Sequence, residues 1–157
     1  MISIHVQERP FNVGMESHLA HQNNLSVGAV VCFTGFVRDF NDGRDVTGLY
    51  LEHFPGMTEK SLEQIAEQAC ARWPLLGVRI IHRVGALTLG EPIVFVATTS
   101  AHRDAAFNAC AFIMDHLKTR APFWKKEQTK QGQQWVEGKA SDQAAAQSWE
   151  RENAPSA

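Results

Sequence analysis

Five basic residues crowd one short stretch: Lys118, Arg120, Lys125, Lys126 and Lys130, opposed within it only by Glu127, a local net charge of +4. Two readings of this run stand open. Cations decorate a helix C-terminus, where the macrodipole favours them, and continue onto a solvated hairpin. Alternatively, Lys118, Arg120, Lys125 and Lys126 stand beside Phe123 and Trp124 to receive a flat, charged ligand. A second candidate is Ser100-Ala101-His102-Arg103. With Ser100 as N-cap, His102 and Arg103 fall in the first helical turn, where cations have the wrong sign for the dipole. An anion on the free backbone N–H groups would account for them, most naturally a phosphate gripped by the Arg103 fork. Equally, Arg103 pairs with a nearby acid and His102 lies at the surface. The third is Thr34-Gly35-Phe36-Val37-Arg38, where Gly35 relieves crowding as backbone nears a ligand and Arg38 stands where a strand leaves the core. A lone arginine at a strand end is usually solvated, so this feature is weak by itself.

The elements that must hold these residues follow from periodicity. Ile2, Ile4 and Val6 alternate as a half-buried strand, and Met15–Gln22 is weakly helical. Ser26–Thr34 is a β-branched run expected as a buried strand. With the turn signal Asn41-Asp42-Gly43, it pairs with Val46–Phe54 as a long hairpin whose tip carries Arg38 to Arg44. Leu62, Ile65, Ala66, Ala69, Cys70 and Trp73 mark one face of a helix over Thr58–Trp73, stopped by Pro74 and Gly77. Val78–Val84 and Ile93–Thr99 read as strands joined by a turn around Leu89–Pro92. A second helix runs from about Ala101 to Thr119, with Phe107, Cys110, Ala111, Met114 and Leu117 as its apolar face. Phe112 and Ile113 widen that face toward the chain's own sheet or a second subunit. After Ala121-Pro122, Phe123–Glu127 and Gln133–Glu137 flank a turn at Lys130-Gln131-Gly132, and Ser141–Arg151 closes as a short helix. Hairpins without strict βαβ alternation favour an α+β fold.

His102 and Lys118 lie 16 residues apart on one predicted helix, which separates their backbones by roughly 24 Å. One small substrate cannot easily touch both. Either two sites exist, or a two-fold dimer runs two such helices antiparallel and brings the start of one beside the end of the other. We expect the composite site.

Composition sets the limits. The 157 residues suit one domain, expected over 1–150 with 151–157 as a frayed tail. A net charge of −2 disfavours general nucleic-acid binding. No apolar run approaches membrane-helix length, and the N-terminus does not read as a signal peptide. Cys32, Cys70 and Cys110 lack C-x-x-C spacing and are expected as buried thiols in a reducing cytoplasm. There is no G-x-G-x-x-G, P-loop, H-E-x-x-H or G-x-S-x-G signature, and no metal-ligand set.

Several stretches together resemble the large, catalytic subunit of molybdopterin synthase, the MoaE family. They are Phe33–Arg38, Leu51–Met57, Ile81–Gly85, Thr99–Arg103 and, longest, Met114–Glu127. The resemblance runs from about Phe11 to Trp149. It implies an α/β hammerhead-type domain with an additional small antiparallel β-sheet. It implies an enzyme, a sulfurtransferase, that converts cyclic pyranopterin monophosphate (precursor Z) to molybdopterin in molybdenum cofactor biosynthesis. The two sulfurs come from the C-terminal Gly-Gly thiocarboxylate of a small ubiquitin-like, MoaD-type subunit, in a heterotetramer built on a central homodimer of large subunits. Carried over by position, Lys118 and Lys125 are catalytic. Arg38, His102 and Arg103 bind substrate, and Phe36, Val37, Lys126 and Glu127 line the same regions. No metal or cofactor is expected. Lys139 stands where the family often has Arg, which loses the bidentate fork. Two other readings compete: a non-catalytic pterin- or phosphate-binding module, which has no use for two lysines, and a scaffold that only docks a ubiquitin-like protein.

Overall fold

The computed structural model describes residues 1–41, 43–136 and 138–152. Asp42 of the turn signal, Glu137 at the end of the predicted hairpin and tail residues 153–157 lie outside them.

One sheet holds β1 (Ile2–Gln7), β5 (Leu75–Arg83), β7 (Pro92–Ser100) and β2 (Ala29–Phe36), in that order, with only the β1–β5 pair parallel. Helices α2 (Met57–Arg72) and α3 (Arg103–Arg120) pack on one face, where Leu62, Ile65, Ala66 and Ala69 meet Val78, Ile80, Val96, Ala109 and Ile113. Short α1 (Val13–Leu19) lies on the other face with Phe11, over Ile81, Phe95 and Ala97. The second sheet is antiparallel: β3 (Phe40–Asn41), β4 (Arg44–His53), β8 (Phe123–Thr129) and β9 (Gly132–Val136), with β6 (Gly85–Thr88) also on β4. Its own small core is Val37, Leu51, Val84 and Leu87. The expected α+β class with a second, small antiparallel sheet is what the chain adopts, and the hairpin at Lys130–Gly132 forms as the spacing predicts.

Three local devices set the geometry below. Gly56, at φ 85°, opens α2, and its N–H donates to Glu59 Oε2 at 2.6 Å. Thr58 Oγ1 donates to the Phe54 carbonyl and lies 3.2 Å from that of Pro122, tying the start of α2 to the corner before β8. Helix α4 (Ala140–Glu152) is pinned to α3 by Trp149 Nε1–H donating to Asp115 Oδ2 at 2.8 Å. Trp149 also meets Trp73 and Phe112 edge-on.

The structure differs from the sequence reading at several places. The long hairpin does not form: β2 pairs with β7, while β4 lies in the other sheet. β7 is apolar on both faces and sits inside its sheet, so it needs a strand on each side, and the apolar run of β2 supplies one. Ser100 is not an N-cap but the last residue of β7. Its hydroxyl donates to the Pro74 carbonyl at 2.8 Å, and His102 caps α3 without a side-chain bond. Phe107 is 62% exposed and Ala111 is exposed, whereas Phe112 and Ile113 are buried within the chain by α2, α4 and the sheet. These two therefore leave no apolar surface for a second subunit. Cys32 is exposed on the edge strand, and only Cys110 of the three thiols is fully buried. Gly35 lines the cavity described below and also makes room for protein: a Cβ there would lie 2.9 Å from Val94 Cγ1.

Candidate functional site

A cavity of about 450 Å³ opens where the two sheets meet the C-terminal end of α3. It gathers six of the nine site residues expected from the sequence: Phe36, Val37, Arg38, Lys118, Lys125 and Glu127. Each arrives for a local reason. β8 starts after the Pro122 corner, and its side chains alternate, so Phe123, Lys125 and Glu127 share the cavity face opposite Leu51 and Leu49 of β4. Lys118 stands in the last turn of α3, where the dipole favours a cation. Val37 is pinned from two sides: its N–H donates to the Glu91 carbonyl, and its own carbonyl accepts from Gly90 N–H, each at 2.9 Å. That clamp fixes where Phe36 and Arg38 leave the first sheet.

The other three lie elsewhere. Lys126 falls on the opposite face of β8, as alternation demands, with Nζ 5.2 Å from the centre of the Trp135 ring. His102 and Arg103 are exposed at the far end of α3, whose 18 residues span about 27 Å. A single chain therefore does not bring them to the lysines. Arg120, part of the basic run, donates to Gln68 Oε1 on α2 at 2.6 Å and is not in the cavity wall.

The electrostatics are set by enclosure. Lys125 keeps much of its surface open, but loss of hydration in the concavity lowers its pKa, and the nearby Lys118 charge lowers it further. Glu127, 3% exposed, and Asp142 partly offset this. His82 is pushed down to about 4, chiefly by burial. Its bond with the Arg83 carbonyl opposes the shift, and Lys125 and Lys118 add to it. Together, Arg38, Lys118, Lys125 and Lys139 can hold an anion against an apolar floor of Val94, Leu117 and Phe123.

Sequence reasoning did not name His82, Met114 and Asp142 as site residues and set Lys139 aside for want of the arginine fork, yet all four are part of the cavity wall. His82 and Met114 sit inside two of the family-like stretches, which was their available signal. Asp142 had none, because it reaches the site only through the docking of α4. Among the described residues no group of three His, Cys, Asp or Glu is placed to hold a metal, and no helix is long and apolar enough to cross a membrane.

Fold and cavity bring four basic side chains, Arg38, Lys118, Lys125 and Lys139, into one concavity where two sheets meet. Residues 6–120 match the MoaE protein family. The chain is 62% identical over 149 residues to the molybdopterin synthase catalytic subunit of Pseudomonas aeruginosa, covering 95% of this chain and 99% of that one. It is 55% identical over 144 residues to the Escherichia coli protein of the same name, covering 92% and 95%. A solved MoaE protein from Burkholderia ambifaria superposes with a TM-score of 0.82 at 47% identity, over 96% of this chain and 99% of that one. The chain belongs to the MoaE family.

Proposed function

We propose that this chain is the catalytic subunit of a molybdopterin synthase, a sulfurtransferase. It converts cyclic pyranopterin monophosphate to molybdopterin with sulfur from the thiocarboxylated tail of a small ubiquitin-like subunit. One observation carries the reading: Lys118 and Lys125, brought from a helix end and a strand, converge with Arg38 in one cavity. The relatives' names support it. A non-catalytic module has no use for that convergence.

In this reading the cavity receives the pterin and the end of the partner's tail. Lys118 holds a positive charge where the thiocarboxylate carbonyl becomes an oxyanion as it is attacked. Lys125, with its lowered pKa, is the group suited to exchange protons at the pterin ring, and its amine form is also a nucleophile toward the tail. Arg38 takes the phosphate as a bidentate fork. His102 and Arg103 enter from a second copy, which closes the 27 Å gap and makes the working unit a homodimer carrying one small subunit per site. Residues 1–150 act as one domain.

The test is to incubate the purified chain with precursor Z and thiocarboxylated partner and to weigh the pterin by mass spectrometry. Gain of two sulfurs is expected. Precursor that is bound but returned unchanged, with a partner verified as thiocarboxylated, supports the binding module and overturns the enzyme.

A further inference from the structure

The cavity wall contains one ionisable ring that the chemistry above does not use. His82 is 5% exposed at the end of β5, between Val6 of β1 and Val94 of β7. Its ring stacks on Phe123, with centroids 3.8 Å apart and planes 18° apart. Its Nδ1 lies 2.8 Å from the Arg83 carbonyl oxygen. A carbonyl only accepts, so Nδ1 carries the hydrogen, and Nε2 of the neutral ring keeps a lone pair. Phe123 covers one ring face and Arg83 occupies Nδ1, yet His82 still forms part of the cavity wall. With Nδ1 engaged, Nε2 is the acceptor that the ring has left.

The next side chain on Phe123's face of β8 is Lys125, two residues on. Its ammonium makes no hydrogen bond with any described residue, and a lysine stem is long and flexible. We propose that His82 is a positioning residue for Lys125: its Nε2 accepts an N–H from the ammonium, holding that charge near the cavity floor until a ligand takes it. A swing of the lysine stem makes the contact. The groups that bear on it are Lys118 from α3, His53 from β4, Glu127 from β8, Lys139 just before α4 and Asp142 in its first turn. Burial beside two ammonium groups keeps His82 uncharged at neutral pH, so it meets Lys125 as an acceptor and not as a third cation.

The inference rests on the reading of Lys125 as a site residue, but its test needs no turnover. The full chain is labelled with 13C-lysine, and the Lys125 ε-carbon is titrated by NMR. His82→Phe keeps a stacking ring without the acceptor. It lowers the Lys125 midpoint by about one pH unit, because a hydrogen bond to the charged form is lost. His82→Gln, which reaches the Nε2 position with an amide oxygen, returns the midpoint to within about a third of a unit of wild type. In the conversion assay, His82→Phe lowers kcat several-fold with KM unchanged, and His82→Gln restores it. A Lys125 midpoint unmoved in folded His82→Phe overturns the proposal and leaves His82 as the packing partner of Phe123. Should that variant not fold, His82→Asn keeps a donor for the Arg83 carbonyl but is too short to place its amide oxygen at the Nε2 position, and the same criterion applies. Full turnover by Lys125→Ala would instead sink the catalytic reading, whatever the titration shows.

Discussion

The two ends of α3 carry the same kind of charge in different surroundings. At the C-terminal end, Lys118 faces a cavity walled by the exit of β2, by β8 and by the start of α4. At the N-terminal end, His102 and Arg103 are exposed, and neither lines that cavity. Charge type alone does not make a site. Walls that displace water strengthen every charge they enclose, whereas an exposed cation is screened. The open end becomes a site when another surface closes over it. In the homodimer proposed above, a second copy running antiparallel along α3 is what would supply that surface and bring each open end to the other's cavity. Phe107, 62% exposed near the open end, is an apolar side chain available to such a contact, in place of the buried Phe112 and Ile113.

The largest effect should fall at the closed end. Lys118→Ala is expected to lower kcat by about two to three orders of magnitude, the usual cost of removing a preorganised oxyanion donor, with thermal stability near wild type because the lysine stands in the cavity wall and not in the packed core. Wild-type turnover by that variant would end its catalytic assignment. Arg103→Ala at the open end is expected to cost about one to two orders, mostly in KM, as a charged phosphate contact is lost. Mixing the two impaired subunits, at a substrate concentration where each alone is nearly inactive, distinguishes a shared site from two separate ones. Half of randomly exchanged dimers are mixed, and each has one intact cavity facing one intact Arg103. Activity should therefore return to about one quarter of wild type by this counting of a two-fold assembly. No recovery after verified exchange would count against the shared site.

Enclosure also predicts a pH dependence confined to the closed end. His82 titrates near 6.5 when unfolded and about 4 when folded. Between those values the unfolded chain takes up a proton that the folded chain does not, so stability falls as pH drops through that window. The loss attributable to His82 is up to roughly 3 kcal/mol at pH 4 and nil above pH 6.5. Urea unfolding at pH 7 and pH 4 should show wild type losing about 2–3 kcal/mol more than His82→Phe. Equal losses would mean the buried ring pays no such penalty.

What the sequence made legible was local. The face of α2 reads directly from its 3, 4, 7 spacing, and Leu62, Ile65, Ala66 and Ala69 are all buried. The β8–β9 hairpin follows from its turn residues. Strand partners are another matter. An apolar run states that a strand is buried, not which distant strand lies beside it, and β2 was given the wrong neighbour for that reason. On α3, Phe107 and Phe112 are equally apolar in sequence. The docking of α4 through Trp149, beyond any periodicity in α3 itself, helps decide that Phe112 is inside. Asp142 and Lys139 entered the cavity wall by the same route.

The smallest effect concerns the two faces of β8, one residue apart. Lys125 and Lys126 are identical in type, and both belong to the basic run. Alternation sends Lys125 into the cavity and Lys126 to the outer face above Trp135, beside half-exposed Tyr50 and Trp124. Lys126→Ala should therefore lower kcat/KM less than about threefold, through the loss of one screened surface charge near the site. It should lower stability by under about 1 kcal/mol, the scale of an exposed cation–π contact. Lys125→Ala in the same assay should cost at least ten times more turnover. Were the two variants equally impaired, the outer face would also have to meet the substrate or the partner's tail. The separation of β8 into a chemical and a non-chemical face would then fail.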